Sequence, residues 1–396
     1  MMDCPKKELG QITTTINGLW TGKKPPFINI AVIRNTNFSK DCRLKMDDVA
    51  MIDVEVKQFA SRKLQMGDII IEKSGGSDKQ PVGRPVLFNI PEGDYSFSNF
   101  TSTLRVNDQG VILPEYLHKF LYKFYLTGKT AEMQSKTTGL RNLDFNAYKA
   151  IKVPVPSIEE QQRIVDELNL LTSIIDKKNA QLRDLDALTQ SIFYEMFGDP
   201  VINERKWPVK TLNSVCDVRD GTHDSPKYLL QSDYILITSK NINGDSIDFS
   251  NINYISKDDY DAINRRSKVD EGDIIMAMIG TIGKPVIVKD TGYKFCVKNV
   301  ALIKFPVQSE VSNIYIRALL NSPSYSDYIM SLNKGGTQKF VPLGTLRGLP
   351  IPVPSATALQ EFAERLSIVE SQSKLIRQSI LELNKLLDSR MNHYFV

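Results

Sequence analysis

Apolar residues recur every three to four positions in two long segments of the chain. In each segment, eight of the ten positions at this spacing are apolar. A repeat sustained over this length predicts a long helix whose apolar side packs against a partner in a coiled coil. The positions are Ile164, Leu168, Leu171, Ile175, Lys178, Leu182, Leu185, Thr189, Ile192 and Met196, then Phe362, Leu366, Val369, Ser373, Ile376, Ile380, Leu383, Leu387, Arg390 and Tyr394.

Both helices have recognisable starts. Prolines precede each segment, and Ser157-x-x-Glu160 and Thr357-x-x-Gln360 have the spacing of capping boxes. We therefore predict long helices over 157–200 and 357–396, and the economical arrangement is that they pair with each other, antiparallel. The residues predicted to pair are Ile164, Leu168, Leu182 and Leu185 with Leu366, Ile376, Ile380 and Leu383.

The two helices end two copies of one unit. Val153-Pro154-Val155-Pro156-Ser157 recurs 198 residues later as Ile351-Pro352-Val353-Pro354-Ser355. Upstream, Gly67-Asp68-Ile69-Ile70 recurs as Gly272-Asp273-Ile274-Ile275, at an offset of 205. An internal repeat of this kind predicts a duplicated fold. We expect globular domains at 1–156 and 201–356, each followed by its long helix and related by an approximate two-fold axis.

The globular parts have the pattern of mixed α/β domains. A glycine–aspartate pair precedes an isoleucine run in each copy, which predicts a turn leading into a buried strand. Apolar spacing over 116–125 and 314–320 predicts short helices. Segments rich in glycine and polar residues, such as 74–77 and 334–337, predict loops in which the backbone can approach a ligand closely.

Composition narrows the class of protein. The chain is 41% hydrophobic and 24% charged, which is typical of a globular protein. No apolar run is long enough for a membrane span, no signal peptide opens the chain, and the four cysteines are far apart, so we predict a cytoplasmic protein.

Charge points weakly to an anionic partner. Residues 1–156 carry 22 Lys and Arg against 16 Asp and Glu, and residues 201–356 carry 19 against 16. The excess of positive charge therefore falls on the globular parts, as expected if they contact a polyanion. An ordinary solvated surface explains so small an excess equally well.

Fragments that imitate catalytic motifs are incomplete. Lys24-Pro25-Pro26-Phe27 resembles the Asn-Pro-Pro-Phe motif of adenine methyltransferases but lacks its asparagine, and Asp53-x-Glu55-x-Lys57 has nuclease spacing without a preceding Pro-Asp. The three histidines, His118, His223 and His393, stand apart from one another. We therefore predict no catalytic site and no metal site in this chain.

Three stretches together resemble a known family. They are Met196-Phe197-Gly198-Asp199-Pro200, Asp220-Gly221-Thr222-His223-Asp224-Ser225-Pro226, and Gly272-Asp273-Ile274-Ile275 through Gly280-Thr281-Ile282-Gly283-Lys284. With the duplicated Pro-x-Pro-Ser starts, they resemble the specificity subunit of type I restriction–modification enzymes over essentially the whole chain. The first copy lacks the Asp-Gly-Thr-His stretch.

The resemblance implies a DNA-reading role without chemistry. Two target recognition domains would each read one half of a split, asymmetric sequence in double-stranded DNA. Two methyltransferase subunits would bind S-adenosylmethionine, and restriction subunits would use ATP and Mg²⁺. This chain would hold no cofactor.

Polar loop residues are the candidates for DNA contact, because Arg and Lys suit guanine and phosphate while Asn and Gln suit adenine. A loop residue that merely faces water is the alternative for each of them. The candidates are Lys73, Ser74, Lys79, Gln80, Arg141 and Asn142 in the first copy, and Arg219, Thr222, His223, Ser239, Lys240, Asn241, Lys334, Thr337, Gln338 and Lys339 in the second.

Two other functions stay open at this point. One is a self-sufficient DNA methyltransferase or nuclease, against which the missing motifs argue. The other is a helical scaffold that joins two proteins without reading DNA. Such a scaffold would show no salt-dependent affinity for DNA.

Overall fold

A computed structural model describes residues 4–20, 22, 24–77, 80–137, 140–243, 246–278, 283–332 and 340–396. Residue contacts divide the chain into two units. The first comprises Met1–Lys178 with Ser379–Val396, and the second comprises Asn179–Gln378. In the part of the chain that is described, no helix is long and apolar enough to cross a membrane.

The first unit is a mixed α/β structure. Its described strands are β1 (Lys6–Glu8), β2 (Thr13–Asn17), β3 (Phe27–Ile33), β4 (Ala50–Glu55), β5 (Ile69–Glu72), β6 (Ser74–Gly76), β7 (Pro85–Leu87), β8 (Tyr95–Phe97), β9 (Thr101–Val106), β10 (Gln134–Thr137), β11 (Leu140–Leu143) and β12 (Lys152–Pro154). Its helices are α1 (Leu9–Ile12), α2 (Val56–Arg62), α3 (Pro114–Leu126), α4 (Phe145–Lys149) and the start of α5 (Ile158–Phe197), with 3-10 turns at Asn35–Asn37 and Lys129–Met133.

The second unit repeats this order. Its described strands are β13 (Val209–Thr211), β14 (Asp217–Asp220), β15 (Tyr234–Thr238), β16 (Ile242–Asn243), β17 (Ser246–Ile247), β18 (Asn253–Tyr254), β19 (Ile274–Ala277), β20 (Gly283–Ile287), β21 (Lys294–Lys298), β22 (Val300–Lys304) and β23 (Pro350–Pro352). Its helices are α6 (Leu212–Val215), α7 (Lys257–Ser267), α8 (Asn313–Asn321), α9 (Pro323–Ser331), α10 (Leu343–Arg347) and the start of α11 (Ala356–Phe395), with a 3-10 turn at Ser239–Asn241.

Sheet topology confirms the duplication. An antiparallel sheet has the order β2-β9-β5-β7 in the first unit and β14-β22-β19-β20 in the second. A second sheet has the order β4-β3-β8 and, correspondingly, β18-β15-β21, and in both the last pair is parallel. The pairs β1-β12 and β13-β23 also match. The predicted mixed α/β units, short helices and long helices are therefore confirmed.

The repeated glycine–aspartate pair is a structural turn. Gly67 and Gly272 have φ of +91° and +88°, a region that favours glycine. In the first unit, the buried carboxylate of Asp68 accepts hydrogen bonds from Arg105 at 2.7 and 2.8 Å. In the second, Asp273 accepts one from Lys304 at 2.5 Å. A cation thus neutralises the buried carboxylate in each copy, as burial requires.

A second buried ion pair lies in the first unit. Arg84 donates to both carboxylate oxygens of Glu72, at 2.7 and 3.0 Å, and to the carbonyl oxygen of Phe38 at 3.1 Å. The Glu72 side chain is only 1% exposed. This pair joins the end of β5 to the loop that follows β3.

The long helices begin at serines. Ser157 Oγ accepts the Glu160 amide at 3.3 Å, which confirms the predicted start of α5. In the second copy, Ser355 Oγ accepts the Ala358 amide at 3.3 Å, and Thr357 lies inside α11. The capping box predicted at Thr357 is therefore wrong, because the serine that follows the proline pair is the capping residue in both copies.

The core of the first unit includes both long helices. Ile164 and Leu168 of α5 lie in one buried cluster with Met391 and Tyr394 of α11. Tyr394 donates to Glu167 at 2.5 Å, and Arg390 donates to the same carboxylate. The start of α5 and the end of α11 therefore pack against each other in this unit.

The second unit has the equivalent arrangement. Ile192 and Phe193 of α5 share a buried cluster with Phe362 and Leu366 of α11, and Leu185 packs against it. The other residues predicted to pair are half-buried: Leu182, Ile376, Ile380 and Leu383. The partners of Ile164 and Leu168 near the end of α11 were not anticipated from the sequence.

We expect Arg84→Ala to destabilise the first unit. It leaves the Glu72 carboxylate buried without its cation, which costs about 3–5 kcal/mol of unfolding free energy. Lys63→Ala is the matched control, because Lys63 and Asp94 form an ion pair with both side chains about half exposed. It should cost no more than about 1 kcal/mol. Urea unfolding measures both, and equal losses would contradict the assignment.

Acid should weaken the helix contact of the first unit. The hydrogen bond from Arg390, with another from Tyr394, lowers the pKa of Glu167 from 4.5 to about 2. The carboxylate therefore contributes stability that is complete above pH 4.5 and is lost as pH falls towards 2. In urea unfolding across this range, Glu167→Gln should flatten the pH dependence and Tyr394→Phe should flatten it partly. An unchanged slope in Glu167→Gln would contradict this.

Candidate nucleic-acid interface

Polar side chains of the first unit collect on the small sheet of β6, β10 and β11. The Ser74 hydroxyl donates to Oδ1 of Asn142, which joins β6 to β11. The Lys73 carbonyl accepts the Leu143 amide at 2.9 Å, and Arg141 lies beside Asn142 on β11. The structure therefore brings together four residues that the sequence analysis nominated separately.

Lys73 is held against Asn17 at the end of β2. Its ammonium group donates to Oδ1 of Asn17 at 3.3 Å, and the residue is half-buried. Burial lowers the pKa of Lys73 below its ordinary value, because desolvation disfavours the charged form. A phosphate beside it would stabilise the charged form again.

Gln80 lies in a turn closed by hydrogen bonds with Ser77. The Gln80 carbonyl accepts the Ser77 amide at 2.8 Å, and the Gln80 amide donates back to the Ser77 carbonyl at 3.2 Å. The Gln80 side chain is half-buried. Lys79 lies outside the described residues.

In the second unit, His223 is held at both ring nitrogens. Nδ1 lies 2.9 Å from Oδ1 of Asn299, and Nε2 lies 2.9 Å from Oδ2 of Asp220. These two hydrogen bonds raise the pKa of His223, the contact with Asn299 having the larger effect. The side chain is still 61% exposed, so a fixed imidazole is presented to solvent. Asp220 and Asn299 are therefore the residues that anchor the ring.

Neighbouring candidates support this turn. The Thr222 hydroxyl accepts the Asp224 amide at 3.1 Å. Arg219 pairs with Asp217 at 2.5 Å and donates to the Arg266 carbonyl at 2.9 Å. Both residues therefore fix the local backbone, and Arg219 already has an anionic partner within the protein.

The three candidates Ser239, Lys240 and Asn241 differ in their exposure to solvent. Lys240 is exposed and Ser239 is half-buried, whereas Asn241 is buried. The side-chain oxygen of Asn241 accepts a hydrogen bond from the Thr238 backbone amide at 3.0 Å. Its side-chain nitrogen donates to the backbone carbonyls of Asp248 and Asn251, at 3.1 and 2.9 Å. Because its polar groups are engaged within the protein, Asn241 stabilises the loop.

Four candidates of the second unit remain. Lys334, Thr337, Gln338 and Lys339 lie outside the described residues. Within the described ranges, no three or more His, Cys, Asp or Glu side chains are grouped to hold a metal ion.

A turn that the sequence analysis did not single out repeats the Asp-Gly-Thr turn in the first unit. Gly18 follows β2 as Gly221 follows β14. A Cβ atom on Gly18 would lie 1.9 Å from the Ser98 carbonyl oxygen, and one on Gly221 would lie 2.4 Å from the Val297 carbonyl oxygen. Both positions therefore require glycine, because the backbones approach too closely for any side chain.

The residue after each glycine makes the same backbone contact. Leu19 donates its amide to the Phe97 carbonyl at 2.9 Å, and Thr222 donates to the Val297 carbonyl at 3.0 Å. The acceptors lie at equivalent places in the parallel strands β8 and β21.

An arginine closes both turns. Arg62, at the end of α2, donates to the Asn17 carbonyl at 3.0 Å. Arg266, near the end of α7, donates to the Asp220 carboxylate. Asn17-Gly18-Leu19 is thus the counterpart of Asp220-Gly221-Thr222. The two turns are 203 residues apart, between the offsets of 198 and 205 found for the matched motifs. Glycine is the only residue that the two turns share, so a comparison of residue identities did not detect them.

A family model described as type I restriction modification DNA specificity domain matches the chain twice, over residues 6–184 and 204–385. The chain is 24% identical over 296 residues to the type I restriction enzyme MjaVIII specificity subunit of Methanocaldococcus jannaschii, covering 69% of this chain and 68% of that protein. It is 22% identical over 412 residues to the EcoKI specificity subunit of Escherichia coli K12, covering 96% and 85%.

Solved structures give the same fold. The specificity subunit of a type I restriction–modification system from M. genitalium aligns with a TM-score of 0.53 at 11% identity, over 100% of this chain and 96% of that one. A chain from a structural study of complex assembly in the type I system aligns with a TM-score of 0.55 at 17% identity, over 100% and 99%.

Two histidines should titrate on opposite sides of the ordinary value of 6.5. Burial, with a smaller effect of Lys119, lowers the pKa of His118 to about 4, whereas the contacts of His223 with Asn299 and Asp220 raise its pKa. NMR titration of histidine-labelled protein measures both. Asp220→Asn should lower the pKa of His223 and leave that of His118 unchanged. A His223 that titrates below 6.5 in the unaltered protein would contradict the geometry.

Proposed function

Since the chain belongs to the family of type I restriction–modification DNA specificity subunits, we propose that it is the DNA-reading, non-catalytic subunit of such a complex. The observation that carries the proposal is the double match of the family model, one match on each of two units with the same sheet topology. Its function is then to recognise a bipartite DNA sequence.

The two units favour an asymmetric target. The first presents Ser74, Arg141 and Asn142 on a small sheet with Lys73 just before it, and the second presents His223 on a turn. Equivalent frameworks with different polar side chains make different hydrogen bonds to base edges and phosphates. Each unit is therefore proposed to read its own half of the target in double-stranded DNA, in a cytoplasmic complex.

The long helices are proposed to form an antiparallel coiled coil that sets the distance between the two half-sites. Support comes from ion pairs between the two helices within each unit, Glu167 with Arg390 and Glu195 with Arg365. Two readers at a fixed separation specify half-sites at a fixed spacing, as paired DNA-binding domains do.

The helices are also proposed to bind the methyltransferase subunits. Large apolar side chains are exposed on both of them, and a partner would bury these side chains. Two methyltransferase subunits would supply S-adenosylmethionine chemistry, and restriction subunits would supply ATP- and Mg²⁺-dependent chemistry. The exposed apolar residues are Leu170, Leu188, Ile368, Leu375, Leu381 and Leu386.

Exchanging residues 201–350 for the corresponding part of a relative with another target should change one half of the methylated sequence. The other half should persist, because the first unit's reading surface is untouched. Sequencing of methylated adenines in the host DNA measures both halves. Exchange of 1–156 is the matched control and should change the opposite half.

The same experiment separates the alternatives. A change in both halves, or in neither, would contradict independent reading. Methylation or cleavage by the purified chain alone, given S-adenosylmethionine or Mg²⁺, would favour a self-sufficient enzyme. A complex without salt-dependent DNA affinity would favour a scaffold.

A further inference from the structure

We infer that Trp20 is a DNA-contacting residue of the first unit, at the place that His223 occupies in the second. The inference rests on the proposed function and adds a residue that the family resemblance did not supply. It depends on geometry within each unit. Trp20 follows Leu19 in the chain as His223 follows Thr222.

The two turns are equivalent at three independent points. Gly18 and Gly221 both lie against a backbone carbonyl that excludes a Cβ atom. The next residue donates its amide to the equivalent parallel strand in each unit. An arginine at the end of the corresponding helix, Arg62 or Arg266, hydrogen-bonds the residue before the glycine. Trp20 and His223 therefore occupy equivalent positions in the two units.

Trp20 is presented to solvent. The residue is 66% exposed, while its backbone amide is held by Oε1 of Gln58 at 3.3 Å. Trp207, the other tryptophan of the chain, is half-buried, and its indole nitrogen donates to the Phe197 carbonyl at 3.2 Å. An exposed indole on a fixed backbone suits a contact surface, because tryptophan gains much from burial and loses little side-chain entropy.

Two cations contact Asn17 in this turn. Arg62 donates to the Asn17 carbonyl at 3.0 Å, and Lys73 donates to the Asn17 side chain at 3.3 Å. Neither group has a carboxylate partner in these contacts, in contrast to Arg266, which pairs with Asp220. A duplex phosphate beside Arg62 and Lys73 would bring the adjacent deoxyribose and base edge to the indole of Trp20. Apolar contact of this kind discriminates bases, for example by covering a thymine methyl group.

The test uses the full complex with its methyltransferase partner. This chain is labelled with 5-hydroxytryptophan, whose emission can be excited apart from that of ordinary tryptophan in the partner. Trp207→Phe leaves Trp20 as the labelled reporter, and Trp20→Phe leaves Trp207 as the matched control. Iodide quenching is then measured with no DNA, with target DNA, and with DNA in which the first unit's half-site is scrambled.

Target DNA should protect Trp20 from iodide and leave Trp207 unchanged, and scrambling the first half-site should remove the protection. Trp20→Ala should weaken binding to the target at least about tenfold and have little further effect on the scrambled DNA. Its thermal unfolding should match that of the unaltered chain, since the side chain is exposed.

The outcomes distinguish this inference from the proposed function. Target-specific binding with unchanged Trp20 quenching, and with full affinity in Trp20→Ala, would overturn the role of Trp20 alone. A complex that binds target and unrelated DNA equally would overturn both.

Discussion

In each unit, an aromatic side chain from the end of a long helix packs against a buried tyrosine of the globular part. In the first unit, Phe395 of α11 lies edge-on to Tyr116 of α3, with ring centroids 5.5 Å apart. In the second, Phe197 of α5 lies edge-on to Tyr315 of α8 at 5.0 Å. These contacts lie at equivalent positions of the repeat, and both tyrosines are fully buried. A globular part without its helix end would expose this aromatic cluster, so the fold of each unit depends on both long helices.

The framework and the reading surface are built from different residues. Buried ion pairs, such as Asp68 with Arg105, and the close approach at Gly18 fix the backbone. The side chains on the equivalent turns differ between units: the first holds Asn17, Leu19 and Trp20, and the second holds Asp220, Thr222 and His223. Because the polar surface contributes little to the core, it is free to vary without loss of the fold. That separation is what a pair of DNA readers with different targets requires.

Much of the fold could be predicted because local patterns determine it. The 3.5-residue apolar repeat requires a long helix, and Gly67-Asp68 and Gly272-Asp273 require a turn before a buried strand. The Thr357 capping box was wrong because Ser355, two residues earlier, is an equally good cap and accepts the Ala358 amide. The hydrogen bond from Tyr394 to Glu167 joins residues far apart in the chain, and no local pattern encodes it.

The candidate surface was less predictable for a related reason. Residue type alone does not distinguish Asn241, which is buried within a loop, from Asn142, which is half-buried on a sheet. The turn at Asn17 and Gly18 shares only glycine with its counterpart, because the close backbone approach constrains only that position. The equivalence of this turn to the one at Asp220 and Gly221 is visible in the backbone contacts and not in the residue identities.

The central claim is that this chain holds two independent DNA readers at one separation. It is tested most directly by the affinity of the assembled complex for DNAs that keep both half-sites and differ in the number of base pairs between them. Binding should be tight at one spacing and weaken sharply when one or a few base pairs are inserted or removed, because each insertion changes both the distance and the angular phase of the half-sites. Equal affinity at all spacings would contradict the claim.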